Sequence, residues 1–508
     1  MSTPESTQHF DVLIIGAGLS GIGTACQVAA KFPTKSLAIL ERRERLGGTW
    51  DLFNYPGVRS DSDMLTLGYS FRPWDDLKVL ADGPSIRQYI ADTAAEFGID
   101  QKIHYGLKIV AADWSSPEQR WTVTARAEAS TRTNTESRTY TCNFLVSATG
   151  YYNYDAGYLP DFAGTERFEG RIVHPQHWPA DLDHTGKKVV VIGSGATAVT
   201  LVPAMSGDAA HVTMLQRSPS YVLTLPDYDK ISEVLRKFLP RTWVYRSARK
   251  RNIVTQRWLY EACLRWPKAA RRALLWQVKR QVGPNVDMKH FTPSYMPWDE
   301  RLCAVPNGDL FKEIKAGRAS IATDEIETFT EKGLLLKSGE ELEADIVVTA
   351  TGLRMQMLGG MTLSVDGEAR ELHNKMAYKG VLVQDVPNLL WVFGYINASW
   401  TLKADLAGEY LCRLLEHMDA TGQAVATPRD GEGCAVADAR VADGLRSGYM
   451  QRGRHVMPLQ GSADPWELVM NYQHNCGVLR DDPIADGILQ FEAAAPANVA
   501  QPKATVAA

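Results

Sequence analysis

Short apolar runs alternate with glycine-rich turns and helix-period stretches along most of the chain. Residues 10–15 read FDVLII, GAGLSG follows at once, and apolar positions then recur at helical spacing through Ile22, Ala25 and Val28. A second run, SLAILE, closes on Glu41. The pattern predicts strand, turn, helix and strand. It returns at 188–192, KVVVI, with GSGATA behind it, a helix from about Val199 and a strand HVTMLQR closing on Arg217. Downstream of each unit an apolar strand ends in Ala-Thr-Gly, as LVSATG at 145–150 and DIVVTATG at 345–352. A further run, NLLWVFGY at 388–395, leads into NASW and a helical pattern from about Leu402.

This alternation predicts an α/β fold with two Rossmann-like dinucleotide-binding domains. Segment 224–300 breaks it and reads as a helical insertion rich in Arg, Lys and Trp. The expected division is 1–155 with 386–508 as one nucleotide domain, 156–223 with 301–385 as the other, and 224–300 as the helical subdomain. The Ser-, Thr- and Arg-rich stretch 127–139 reads as an exposed hairpin loop, and the Ala/Pro-rich residues 492–508 as a frayed tail.

The glycine turns carry chemistry. In Gly16-x-Gly18-Leu-Ser20-Gly21 the first glycine permits a tight turn. The second lets backbone approach a pyrophosphate, and the third lets helix and strand pack closely. The helix N-terminus offers unpaired N–H groups to phosphate. Glu41 stands where a carboxylate accepts hydrogen bonds from ribose hydroxyls. The second turn, Gly193-Ser194-Gly195-Ala196-Thr197-Ala198, has Ala in third place. Its second strand ends in Arg217-Ser218 where an acid would otherwise stand; Arg grips a 2′-phosphate that a carboxylate would repel. The pair of sites therefore points to FAD at the first turn and NADPH at the second, with hydride passing from nicotinamide to flavin.

Composition narrows the class. The chain has 508 residues, 45% hydrophobic and 22% charged, which excludes global disorder and fits two to four domains at roughly 150 residues each. No apolar run reaches about 18 residues, so no transmembrane helix is expected. The opening MSTPESTQHF has neither a basic nor an apolar region of a secretory signal. Seven scattered Cys without CxxC spacing point to a reducing compartment, no structural metal and no disulfide-reductase pair. A cytoplasmic protein is expected.

Two longer strings, GGTWDLFNYPGVRSD at 47–61 and FEGRIVHPQHWP at 168–179, resemble the two signatures of Baeyer–Villiger monooxygenases at every fixed position. Stretches such as SATGYYNYDAGY, HPQHWPADLD and PWDERLCAVPNGDLF are similar to the ethionamide-activating branch of that family, and the resemblance covers roughly residues 10–475. It implies an NADPH- and O₂-dependent enzyme whose C4a-peroxyflavin turns a ketone into an ester or lactone. Its expected partners are a small apolar ketone or sulfide and O₂, with sulfides or thioamides as further substrates. It also implies cofactor contacts from Gly48, Thr49, Trp50, Asp51, Leu52, Arg59, Ser60, Asp61 and Ile109. Arg301 becomes the candidate catalytic residue: a fixed cation keeps a peroxide anionic and stabilises an oxyanion, with Asp61 as its orienting partner. One departure is Glu300, where better-known members have Lys, which leaves NADPH preference resting more on Arg217. His174 and Trp178 lie in a linker position and read as interdomain elements. The alternative is a flavin N/S-monooxygenase without ketone chemistry, which would not need Arg301; a non-catalytic module would oxidise no NADPH.

One charge run hides inside a nearly neutral chain. Residues 236–280 hold fourteen Lys or Arg against Glu261 alone. The segment is therefore +13, and with −4 overall the other 463 residues sum to −17. Trp243, Trp258, Trp266 and Trp276 are interleaved. No nucleic-acid module accompanies the run, and none is expected as a partner. Two readings stay open: a solvated helical subdomain with its Trp residues packed inward or lining the substrate entrance, and a basic aromatic surface in peripheral contact with an anionic membrane. The sequence leaves the oligomeric state unassigned.

Overall fold

A computed structural model describes residues 7–128, 137–429, 433–441 and 443–495. The tip of the expected hairpin loop, 129–136, and the end of the expected tail, 496–508, lie outside them. The strands flanking the loop, Arg120–Ala127 and Ser137–Ser147, pair antiparallel.

Two sheets carry the two repeats. In the larger one, Gln8–Ile15 lies parallel between Leu37–Leu40 and Ser137–Ser147, and Leu389–Trp391 adds in parallel beyond the latter. In the smaller, five parallel strands run in the order Ala319–Thr323, His211–Gln216, Lys188–Ile192, Ile346–Thr349, Arg171–Val173. The centre of the smaller sheet reads as unbroken apolar runs because both faces are covered, one by helices and the other by the antiparallel strands Ile326–Phe329, Gly333–Leu336 and Glu341–Glu343: Val189, Val190, Val191, Val347 and Val348 are all buried. The helices Leu19–Lys31 and Ala196–Met205 follow the two glycine turns. The long helix Trp400–Thr421 packs on the first of them.

One expected boundary moves. Segment 362–385 is expected in the second nucleotide domain, but Thr362–Val365 pairs with the strand Leu107–Ser115 and Leu382–Val383 pairs beside Leu389–Trp391. Both belong to the larger sheet. Thr362–Val365 pairs with residues about 250 positions away, and Leu382–Val383 joins the sheet only through Leu389–Trp391, which local periodicity does not report.

The insertion packs on both repeats, through Tyr245 and Ala248 on the first and Val278 and Val282 on the second. It consists of the helices Lys230–Leu235, Arg241–Arg265 and Pro267–Val282. Pro267 explains the break between the last two: it keeps Trp266 out of the helical region, at φ −129° and ψ 59°, and then starts the next helix at its first position. At its base, Val222–Leu225 pairs with Cys303–Pro306.

Candidate active site

A cleft of about 910 Å³ runs between the two repeats and is lined by both glycine turns. At the first turn Gly16 has φ +102°, and a Cβ there would lie 2.8 Å from the carbonyl oxygen of Ala148. At the second, Gly193 has φ +136°, and a Cβ would lie 2.4 Å from the carbonyl oxygen of Ala350. Those two alanines open the two Ala-Thr-Gly strings. Each string thus ends its strand with a backbone seat into which only glycine fits.

Of the residues expected at the first nucleotide, Gly16, Gly18, Ser20, Glu41, Gly48, Thr49, Trp50, Arg59, Ser60, Asp61 and Ile109 line the cleft. Gly21 stands behind it, where a Cβ would fall 1.9 Å from the Gly16 carbonyl oxygen. Glu41 is buried and accepts the N–H groups of Ala17 at 2.6 Å and Arg43 at 2.8 Å. Burial nevertheless pushes its carboxyl above the usual range. Two expected contacts do not line the cleft. Asp51 is buried beneath it, with Arg43 at 2.6 Å and Arg45 at 3.0 Å, and Leu52 packs into the core of the second repeat. Along the single helical turn Thr49–Leu52, Thr49 and Trp50 face the cleft while Asp51 and Leu52 face inward.

At the second turn Gly193, Ser194, Gly195, Ala196 and Thr197 line the cleft, as do Arg217 and Ser218, while Ala198 is buried in the helix. The Ser194 hydroxyl donates to the Ser218 carbonyl at 2.9 Å. Arg217 is exposed and lies in the field of Glu300 and Glu325. The first signature reaches across to this unit. Gly57, with φ +75°, leaves room where a Cβ would sit 2.6 Å from that of Ala204, and the Tyr55 hydroxyl, pushed up to about 12 by burial, bonds Thr197.

Where the turns meet, Arg301 enters the cleft with its Nε 3.7 Å from Asp61, each about a third exposed. Its proton is held more tightly than usual, first by Asp61 and then, against desolvation, by Tyr449, Tyr151 and Tyr152. Those tyrosine hydroxyls are buried and stay protonated far into the alkaline range. The Tyr151 and Tyr152 oxygens lie 2.6 Å apart, and Tyr151 stacks on Trp400 at 5.2 Å, whose indole N–H donates to Ser20 at 2.7 Å. Sequence reasoning missed Tyr151, Tyr152, Tyr449 and Arg452, all of which line the cleft. The first two lay in the open, inside the string SATGYYNYDAGY; Tyr449 and Arg452 come from a distant segment without periodicity.

The second signature lies outside the cleft lining. His174 caps Pro175–His177 by accepting the N–H of Gln176 at 3.2 Å, and burial lowers the basicity of its ring. Gln176 donates to the Asn153 carbonyl at 2.7 Å. The ring fills the space a Cβ on Gly157 would need, at 2.0 Å. These contacts tie the linker between the sheets and give His174 a neutral, structural surrounding. Asn397, near the start of the helix Trp400–Thr421, donates to the Met470 carbonyl at 3.0 Å instead of lining the cleft, whereas Ala398 does line it.

The fit to two dinucleotides rests on the protein itself. Both turns have glycine where a Cβ would meet backbone, and the buried Nη2 of Arg59, a cleft residue, has no hydrogen-bond partner among the described residues. Such a scaffold, with a cation fixed between two nucleotide turns, defines a two-nucleotide oxidoreductase. The comparisons name the class: residues 9–359 match the flavin-binding monooxygenase-like family model, and the chain belongs to that family of flavin monooxygenases. It is 67% identical to MymA of Mycobacterium tuberculosis over 97% of this chain and 99% of that one. With the FAD-containing monooxygenase EthA of the same organism the identity is 49%, over 96% and 98%. Among solved structures, an oxidised steroid monooxygenase bound to NADP superposes with a TM-score of 0.73 at 20% identity, covering 96% of this chain and 100% of that one. An open cyclohexanone monooxygenase gives 0.68 at 20%, over 83% and 90%, which shows a shared fold.

Proposed function

We propose that this flavin monooxygenase uses FAD, NADPH and O₂ to convert small apolar ketones to esters or lactones, and that it also oxidises sulfides or thioamides. The observation that carries the reading is Arg301 beside Asp61 in the cleft, among three buried tyrosine hydroxyls. FAD would lie along Gly16, Gly18, Glu41 and Thr49, and NADPH along Gly193 to Thr197 with its 2′-phosphate at Arg217 and Ser218. When bound, the reduced flavin supplies the activation of O₂.

The chain's own residues do the rest. Arg301 keeps its charge at every working pH and stabilises negative charge on a nearby oxygen. Asp61 fixes the guanidinium and prevents its drift towards solvent. Tyr151, Tyr152 and Tyr449 keep their protons and can donate hydrogen bonds. Trp50, Tyr55 and Trp400 wall the cleft against water. The seven free Cys take no part in this reading. Peripheral contact of residues 236–280 with a membrane belongs to the proposal too, but it rests on exposed side chains and not on the cleft. Among the described residues no helix is long and apolar enough to cross a membrane.

The test is Arg301→Ala. Flavin reduction by NADPH, followed by bleaching of the flavin spectrum, should persist within a few-fold. Ester formation should fall by about 10³-fold, the scale seen when one preorganised oxyanion donor is removed. Undiminished ester formation sinks the assignment. Absence of ester from the unaltered enzyme, with sulfide oxidation intact in both, favours the N/S-monooxygenase alternative.

A further inference from the structure

The helical insertion places its charges on two sides. Four of its fourteen basic residues point inward. Arg249 is buried, donating to the carbonyls of Leu65 at 2.9 Å and Gly68 at 2.7 Å and meeting Asp405 at 3.2 Å. Arg236 donates to the Asp75 carbonyl, Arg251 pairs with Asp229, and Arg271 donates to the Tyr221 hydroxyl. The other ten are exposed, among them Lys237, Arg246, Lys250, Lys268, Lys279 and Arg280.

The aromatic residues follow the same division, and against the inward-packing reading they face out. Phe238, Trp243, Trp258, Trp266 and Trp276 are each more than half exposed. Nine of the thirteen exposed large hydrophobic residues among the described residues fall between 231 and 276. On the helix Arg241–Arg265, Trp243, Lys250, Val254, Arg257, Trp258 and Leu264 recur at helical spacing on one side, and Tyr245, Ala248, Arg249 and Cys263 are buried on the other. Water alone does not account for five exposed large rings. A partner made only of protein acids would match the charge but gain little from the rings.

We infer that this outer face is a docking surface for an anionic lipid bilayer. Indole and phenyl rings insert at the headgroup level, and the surrounding Lys and Arg meet lipid phosphates. The inference deepens the peripheral-contact reading and is independent of the ketone reading. Vesicle binding and ester formation are separate measurements, so failure of either leaves the other standing.

The test is co-sedimentation of the full flavin-loaded chain with phosphatidylcholine vesicles and with phosphatidylcholine–phosphatidylglycerol vesicles, at low and high salt. Binding is expected only to the mixed vesicles, weakening as salt rises. The triple variant Lys250→Glu, Lys268→Glu, Lys279→Glu should bind them about 100-fold less well. The triple variant Phe238→Ala, Trp258→Ala, Trp276→Ala should lose about tenfold. Unchanged flavin absorbance and NADP⁺ affinity without vesicles would show that both variants are folded. No binding at low salt, or equal binding to both vesicle types, overturns the inference. A wild-type dimer that these substitutions dissolve, with no vesicle effect, also overturns it and assigns the face to a second copy of the chain.

Discussion

The two glycine turns share a plan but differ in how firmly they are built. At the first, three glycines stand where a Cβ would collide or nearly touch backbone, and the acid behind them, Glu41, is buried on two N–H groups. At the second, a Cβ on Gly195 would meet nothing within 4 Å, the third glycine has become Ala198, and the terminal side chain, Arg217, is exposed. The first turn is packed to hold a ligand rigidly. The second is tight at Gly193, where a Cβ would lie 2.4 Å from the Ala350 carbonyl oxygen, but open beyond it, and relies on charge. Such a difference suits one nucleotide that stays and another that must leave after each turnover.

The comparison breaks most sharply at its third positions. Gly21→Val puts carbon within 1.9 Å of the Gly16 carbonyl oxygen, and FAD affinity should fall more than about 100-fold, read as flavin absorbance lost on desalting. Ala198→Gly at the equivalent place should leave flavin content unchanged and cost about 1 kcal/mol of stability. Equal flavin loss in both variants would abolish the distinction. A smaller effect is expected at Arg217→Ala. Losing one charge-assisted phosphate contact, about 1.5–3 kcal/mol, should weaken NADP⁺ about 10- to 100-fold and NAD⁺ little, as measured by titration. Parallel losses for both nucleotides would remove the 2′-phosphate from the reading.

The smallest effect lies behind the first turn. Among the described residues, only the larger-sheet side buries lysines, Lys379 and Lys403. Lys379 has Asp482 and Asp486 within 4.0 Å, whereas Lys403 has the Lys379 carbonyl at 3.4 Å and no carboxylate partner among the described residues. Burial lowers the Lys403 pKa from 10.5 to about 7. The unfolded chain therefore binds an extra proton between about pH 7 and 10.5, so this residue's cost is full below pH 7 and fades as pH rises through that window. Lys403→Met should raise Tm by a few degrees at pH 7, with the gain over wild type shrinking towards pH 10. A gain independent of pH would mean that packing, not charge, is responsible.

Residues that act on near neighbours were legible from the sequence. The two strand-turn-helix units, the closing residues Glu41 and Arg217, and the Ala-Thr-Gly strand downstream of each unit follow from local pattern and known backbone needs, whereas the seating of Ala148 on Gly16 and Ala350 on Gly193 is a long-range contact that local pattern does not report. Arg301 was legible only through resemblance, because an Arg beside two acids otherwise reads as surface. Tyr449 and Arg452 were not legible: they reach the cleft from 150 residues beyond Arg301, and nothing local marks them. Arg249 was hidden for another reason. It stands within a run of three basic residues, Arg249–Arg251, and charge density says nothing about which member of a run turns inward.

The inner side of the helix Arg241–Arg265 reaches further than its anchoring requires. Asn252 and Gln256 both donate to Asp63, two residues from Asp61, and Tyr260 packs edge-on at 5.1 Å against Trp298, three residues from Arg301. Both halves of the ion pair in the cleft are thus braced by one surface helix. Anyone reshaping that helix for solubility or expression would be tuning the reaction chamber from outside. Changes at the outer positions bear on docking and spare the chemistry, whereas the hidden ones behave as part of the enzyme's interior although they sit in its most charged segment.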